Sequence, residues 1–299
     1  MTQQKLVSDY WGKAPSGARP TGWLKHPITR AYISKRISGE PKVDSLQYIA
    51  RSYFSAPVDR ALSLGCGFGG FEIAAIRANV AKHIDACDIS EAAVVEAASR
   101  RDKAGLGDRI SYNVVDINEA RLERDRYDAI FGISGVHHVF NLEHLFGECK
   151  RALKPNGLLI LDEYIGPSRF QSDQTVVTII NQIRSVLPER YRYNLFRDDG
   201  SILGAWQPPS ISWFEQNDPS ESVRSAEIVS TLKLYFNVVE MRPYGGALLH
   251  HLLSGIAGNF EPNNESDVVL LNVLTVLEMA LEETGKIGSD FAVIVATPR

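Results

Sequence analysis

The chain has 299 residues, 44% of them hydrophobic, enough to bury a sizeable core in one large α/β domain or two small ones. Its formal net charge of −4 and pI near 6.0 exclude a chain-wide attraction to phosphate backbones, so nucleic acid is not an expected partner. No cationic segment followed by an apolar run opens the sequence, and the most apolar later run, Val268 to Leu281, is broken by Asn272, Thr275 and Glu278. The expectation is therefore a soluble, unprocessed, cytoplasmic protein with no membrane partner.

Residues 1–57 precede the first strand and read as an N-terminal helical lid segment. Within it, Tyr10-Trp11-Gly12 and Trp23-Leu24-Lys25-His26 set aromatic side chains near Gly and Pro, a composition suited to closing over a cleft. From 58 to 165 short strand-like runs alternate with longer helical ones, as in βαβ units that build a parallel sheet. Strands are predicted at Arg60–Leu64, His83–Asp88, Ile110–Val115, Tyr127–Ile133 and Gly157–Tyr164. Asn141 is placed to cap a helix whose apolar face carries Leu142, Leu145, Phe146, Cys149 and Leu153, and Lys154-Pro155-Asn156-Gly157 stops it. Residues 166–220 break the alternation and read as a cap insertion, with a helix over Thr175–Leu187 and an irregular aromatic-rich run after it. The core continues over 221–245, where Asp218-Pro219-Ser220-Glu221 is read as a capping box that opens a helix through Val223, Ala226, Val229 and Leu232. A second helical insertion occupies 246–287, with its main helix at about Asp267–Glu283, and 288–299 holds the last strand. Val238–Arg242 and Phe291–Thr297 complete seven predicted strands. Cys66, Cys87 and Cys149 are an odd set without metal-ligand spacing and read as reduced, packed thiols.

The segment Gly65-Cys66-Gly67-Phe68-Gly69-Gly70 follows the first strand and opens a helix, so its glycines allow a tight turn and close approach of backbone to a ligand. Asp88 ends the second strand, where a carboxylate can accept both hydrogen bonds of a ribose diol. Asp116 ends the third, with Ile117 beside it to cover an adenine ring.

Through LSLGCGFGGFE, CDIS, VVDIN, YDAIFGISGVHHV and LKPNGLLILDEYIG, the chain resembles class I S-adenosylmethionine-dependent methyltransferases of the small-molecule type over about residues 58–165. The resemblance implies a Rossmann-like, mostly parallel seven-stranded sheet with helices on both faces and S-adenosylmethionine as cofactor. It assigns Gly65, Cys66, Gly67 and Gly69 to the methionine-ribose side, Asp88 to the ribose hydroxyls, and Asp116 with Ile117 to adenine, with Ile89 and Ile133 also at the cofactor. The family often has an acidic residue where this chain has Ser63, and Glu72 on the next helix turn is a candidate to orient the loop instead. Gly70 also completes the GxGxxG of nicotinamide dehydrogenases, but the motifs after the later strands favour the methyltransferases.

A sulfonium-bound methyl is already activated, so the protein's main task is to align an acceptor and exclude water. His137 and His138 follow the fourth strand at the ligand-binding edge; each is either a loop histidine bonded to backbone or an acceptor-side base. The resemblance implies the second reading, with Glu163 after the fifth strand as the acidic partner and Asp162 as its neighbour. The predicted acceptor is a small molecule, a sugar or natural-product hydroxyl, with carbon or nitrogen methylation, or non-catalytic cofactor binding, as alternatives. No metal is expected, because the adjacent His250 and His251 diverge in direction and lack a completing ligand pattern. Arg190, Arg192 and Arg197, interleaved with Tyr191 and Tyr193, read as a solvated charged face before an acidic-ligand site. The Asp267–Glu283 helix reads as core, or else as a surface for homo-oligomers.

Overall fold

The apolar runs between residues 58 and 164 are short and rich in Val, Ile and Leu because the strands they form are covered on both faces. In the computed structural model, which describes residues 3–12, 19–197 and 199–299, they pair side by side. The positions outside that description include parts of the expected lid segment 1–57 and of the 166–220 insertion.

In chain order the elements are α1 (Gln3–Trp11), α2 (Pro27–Ser38), α3 (Ser45–Tyr53), β1 (Val58–Leu64), α4 (Gly70–Arg77), β2 (Ala81–Asp88), α5 (Glu91–Lys103), β3 (Ile110–Val114) and β4 (Tyr127–Ile133). They continue with α6 (Leu142–Ala152), β5 (Leu153–Tyr164), α7 (Gln174–Val186), α8 (Ile211–Asn217), α9 (Ile228–Tyr235), β6 (Phe236–Gly245), α10 (Leu249–Leu252), α11 (Glu265–Glu283) and β7 (Phe291–Pro298). The seven strands form one sheet in the order β3-β2-β1-β4-β5-β7-β6. The first five are parallel to one another, and β7 runs antiparallel between β5 and β6. Strand order reverses between β1 and β4, which opens a crevice beyond their carboxyl ends, the usual ligand position in such sheets. Alternate residues serve opposite faces: Phe131, Ile160 and Val293 enter one buried cluster, and Ile130, Leu159 and Ile294 the other.

Four expectations need correction. Strand β5 begins at Leu153 rather than Gly157, pairing Leu153 with Tyr127, and the Lys154-Pro155-Asn156-Gly157 turn signal appears as a register shift inside the strand. The capping box at Asp218 opens no helix, since the helix of this region starts at Ile228, after a short 3-10 turn at Ser225–Glu227. The Asp218 carboxylate instead accepts from the Ser220 backbone N–H and hydroxyl and from Trp11 Nε1, so its capping capacity is spent elsewhere. Trp23 and His26 are not lid side chains: both are buried, Trp23 against Tyr244 and Phe291, and His26 bonded to the Phe260 carbonyl. Arg190 and Arg192 are not simply solvated: Arg190 pairs with Asp267 at 2.6 Å and Arg192 donates to the Leu187 carbonyl at 3.0 Å, while the preceding Arg184 is buried against the carbonyls of His251, Leu252 and Ser254.

Asp290 precedes β7 and is 7% exposed, and burial pushes its carboxyl up to about 7, with Glu278, Glu282 and Asp173 adding to the shift. A carboxyl whose pKa is raised on folding contributes most to stability below its unfolded pKa, and that contribution is lost as pH rises towards 7. We therefore expect Asp290→Asn to gain on the wild type between pH 4 and 7, by on the order of 1.4 kcal/mol per pH unit at most. Urea midpoints measured across that range check this, and parallel profiles for the two proteins would contradict it.

Candidate active site

The turn after β1 is held by backbone constraints that side chains cannot easily meet. Gly65 has φ +66 and a Cβ there would stand 3.2 Å from Gly135 Cα, so the loops after β1 and β4 touch backbone to backbone. Gly69 has φ +77 and begins α4, where a Cβ would meet the Tyr112 hydroxyl at 2.5 Å. Behind the loop, Ser63 donates to Glu72 Oε1 at 2.5 Å, and burial raises the Glu72 carboxyl to about 7 against that bond. Glu72 thus meets Ser63 from the next helix turn.

These turns border a cavity of about 610 Å³ at the carboxyl ends of β1 to β4. Of the residues expected at the cofactor, Gly65, Cys66, Gly67, Asp88, Ile89, Asp116, Ile117 and Ile133 line it, whereas Gly69 does not. Asp88 accepts from Gly67 N and Ser90 N, both at 2.8 Å, which fixes the carboxylate at the end of β2. Burial nevertheless raises its pKa, against those bonds. Asp116 ends in a second turn, where Asn118 donates to Oδ1 and Gln4 of α1 reaches across to Oδ2 at 2.8 Å. Val7 and Trp11 also border the cavity, so α1 covers it.

Glu163, fully buried, organises the turn after β4. One oxygen accepts from Gly135 N and Val136 N, both at 2.7 Å, and the other meets His137 Nδ1 at 2.6 Å. A carboxylate only accepts, so His137 Nδ1 carries the proton and Nε2 bears a lone pair in the neutral ring. Burial opposes charge on His137, but Glu163, with Glu221 and Asp218 beyond it, raises its pKa overall. His138 is lowered by burial and by the charge of His137. Its Nδ1 lies 3.1 Å from Ser220 Oγ, which donates to Asp218 Oδ1 at 2.7 Å, and Trp11 Nε1 donates to Asp218 Oδ2 at 2.8 Å. The edge of Trp11 also packs on His138, with centroids 4.8 Å apart.

The three acceptor-side expectations therefore come together, with a division the sequence did not indicate. His138 borders the cavity, and His137 and Glu163 stand behind it. Sequence reasoning missed Gln4, Ser220, Asp218 and Glu221 as parts of this site, and only the polar cluster around Pro219 could have flagged the last three. His250 and His251 do not border the cavity and pack among aromatic rings: half-buried His250 against Tyr164, Phe170 and Phe291, and buried His251 stacked on Trp206. Among the described residues, His137, His138 and Glu221 place ligand-type atoms close enough together to hold a metal ion, and no helix is long and apolar enough to cross a membrane.

Residues 61–157 match the model of the methyltransferase-domain family. That stretch, about a third of the chain, is a methyltransferase domain by this match, and it falls within the residues whose motifs resemble the class I S-adenosylmethionine-dependent methyltransferases. It is 27% identical over 126 residues to a sterol 24-C-methyltransferase of Gibberella zeae, a match over 42% of this chain and 33% of that protein. It is 29% identical over 118 residues to the 27-O-demethylrifamycin SV methyltransferase of Amycolatopsis mediterranei, over 38% of this chain and 43% of that one. The chain thus spans less than half the length of these relatives. The fold is shared with the geranyl diphosphate C-methyltransferase of Streptomyces coelicolor A3(2), solved with Mg2+, geranyl diphosphate and S-adenosyl-L-homocysteine. That likeness has a TM-score of 0.58 and 14% identity and covers 100% of this chain and 98% of that one.

Proposed function

We propose that this protein is an S-adenosylmethionine-dependent methyltransferase that acts on a small, largely apolar molecule and delivers the methyl group to carbon. The observation that carries the reading is one cavity bordered by the glycine turn, two strand-end carboxylates and a histidine. The residues fit the cofactor. The close approach of Gly65 to Gly135 leaves room for ligand beside the turn, and Asp88 is fixed by two backbone N–H groups with lone pairs left for a ribose diol. Ile89, Ile117 and Ile133 offer apolar cover, and Asp116 takes the adenine amino group once Gln4 yields its oxygen. When bound, S-adenosylmethionine supplies a sulfonium-activated methyl group.

This chain's own residues then do three things. The glycine turn, Asp88 and Asp116 hold the cofactor; Val7 and Trp11 of α1 exclude water; and His138 turns its lone pair to the acceptor, positioned through Ser220 and Asp218. His137 and Glu163 complete the catalytic group by fixing the turn that carries His138. The cavity that His138 borders is also lined by Val7, Trp11, Val139 and Phe140, which suits an apolar acceptor. Carbon is favoured over the hydroxyl first expected because the sterol and geranyl diphosphate enzymes are both C-methyltransferases by name. The rifamycin enzyme is the relative on the oxygen side.

The test supplies cofactor labelled with 13C in its methyl group to the purified protein and the small-molecule fraction of its source cells. A new carbon-bound methyl signal in a small molecule is expected. An oxygen-bound methyl signal would overturn the carbon assignment, and label only in macromolecules would overturn the small-molecule reading.

A further inference from the structure

His137, His138 and Glu221 each offer a ligand-type atom, and these atoms all lie within 4.8 Å of one another. We propose that the cluster binds one divalent transition-metal ion of the Zn2+ or Fe2+ kind, held by a nitrogen of each imidazole and a Glu221 oxygen and open towards the acceptor.

The lone pairs are directed by the partners behind each ring. Glu163 holds the proton on His137 Nδ1, which leaves Nε2 as the free donor, and that atom is 3.6 Å from Glu221 Oε1. Two ligands each about 2.1 Å from a tetrahedral ion stand about 3.4 Å apart, so this pair is already near ligand spacing. The hydroxyl proton of Ser220 is committed to Asp218, so Ser220 accepts from His138 Nδ1 and frees the lone pair on Nε2. Imidazole ligands that hand their second N–H to a carboxylate or another oxygen are the usual outer arrangement of a metal site.

Charge points the same way. Glu163, Glu221 and Asp218 gather about His137, and the guanidinium of Arg169, held by the carbonyls of Asp218, Pro219 and Glu221, offsets only one of those three carboxylates. A bound dication offsets that excess of carboxylates. Two imidazoles and one carboxylate favour Zn2+ or Fe2+ over Mg2+ or Ca2+, which take oxygen ligands. The side chains of His137 and Glu221 are 11% and 16% exposed and His138 borders the cavity, so the cluster is within reach of an entering ion.

Three protein ligands leave coordination positions for an acceptor oxygen, whose proton affinity the ion lowers. The acceptor class is thus a molecule with a keto, enol or hydroxyl oxygen beside the atom that receives the methyl group. This inference rests on the proposed function only for the location of the acceptor, and it specifies what the lone pair of His138 binds.

The test strips the full chain with a chelator, titrates it with Zn2+ and with Mg2+ by calorimetry, and follows Co2+ by visible absorption. S-adenosylhomocysteine binding serves as the check on folding. One equivalent of Zn2+ is expected, with Mg2+ much weaker and with visible Co2+ bands. Glu221→Gln and His137→Ala should each weaken Zn2+ by at least about tenfold while S-adenosylhomocysteine still binds. Stripped wild type that binds S-adenosylhomocysteine but takes up neither Zn2+ nor Co2+ would overturn the proposal, as would unchanged Zn2+ affinity in Glu221→Gln. Metal uptake without S-adenosylhomocysteine binding would support the metal site and count against the methyl-transfer reading.

Discussion

Replacing His138 with alanine is expected to lower kcat by about 10²–10⁴-fold, the usual cost of losing a positioned acid–base group, while affinity for S-adenosylhomocysteine stays close to wild type. The separation of the two effects follows from the geometry. His138 borders the cavity but takes no part in the hydrogen bonds that fix Asp88 and Asp116, which come from Gly67, Ser90, Asn118 and Gln4. Its orientation depends instead on Ser220 and on the edge of Trp11. Steady-state rates and calorimetry on the same preparation check this, and an unchanged kcat would reduce the double histidine to loop structure.

The largest effect on stability is expected at Glu163. Alanine there leaves Gly135 N and Val136 N without their acceptor and removes the partner of His137, all in a position with no solvent exposure. Leaving a buried donor without its partner typically costs about 1–3 kcal/mol, and three donors lose theirs here. Glu163→Gln keeps an oxygen for the two backbone donors but turns an NH2 donor towards His137 Nδ1, which must then give up its proton to accept, so it should recover part of that loss. Urea unfolding of the two variants tests the ordering. Equal losses would mean that the His137 partnership, and not the backbone bonds, dominates.

Most of the sheet was legible because burial on both faces forces short apolar runs, and runs such as Tyr127–Ile133 carry little else. Asn141 was also legible, since its side chain caps α6 through the His144 N–H, a strictly local interaction. The strand-end carboxylates Asp88 and Asp116 could be found for a similar reason: each sits where its strand ends at the crevice.

What failed was the chemistry set by distant partners. Asp218 has the local pattern of a helix cap, yet it is engaged by Trp11, 207 residues away, and by Ser220, so tertiary contacts outcompeted the helix start. Trp23 has the composition of a lid residue but fills the core against Tyr244 and Phe291, elements that lie more than two hundred residues downstream. Glu221 joins the histidines only because the segment from Asp218 to Ser222 is folded back over them, held by Arg169. No periodicity in the sequence encodes that return.

The central claim is that the cavity beside Gly65 and Asp88 is a site for S-adenosylmethionine. Calorimetric titration of the purified protein with S-adenosylhomocysteine, run beside Asp88→Ala, tests it most directly. Asp88 holds the Gly67 N–H and, in the proposed reading, accepts from the ribose hydroxyls, and hydrogen bonds to a charged group contribute about 1.5–3 kcal/mol. The account predicts one site per chain in the wild type and an affinity lower by about 10- to 100-fold in the variant. A folded wild-type protein that binds no S-adenosylhomocysteine, or a variant that binds it as tightly as the wild type, would contradict the account.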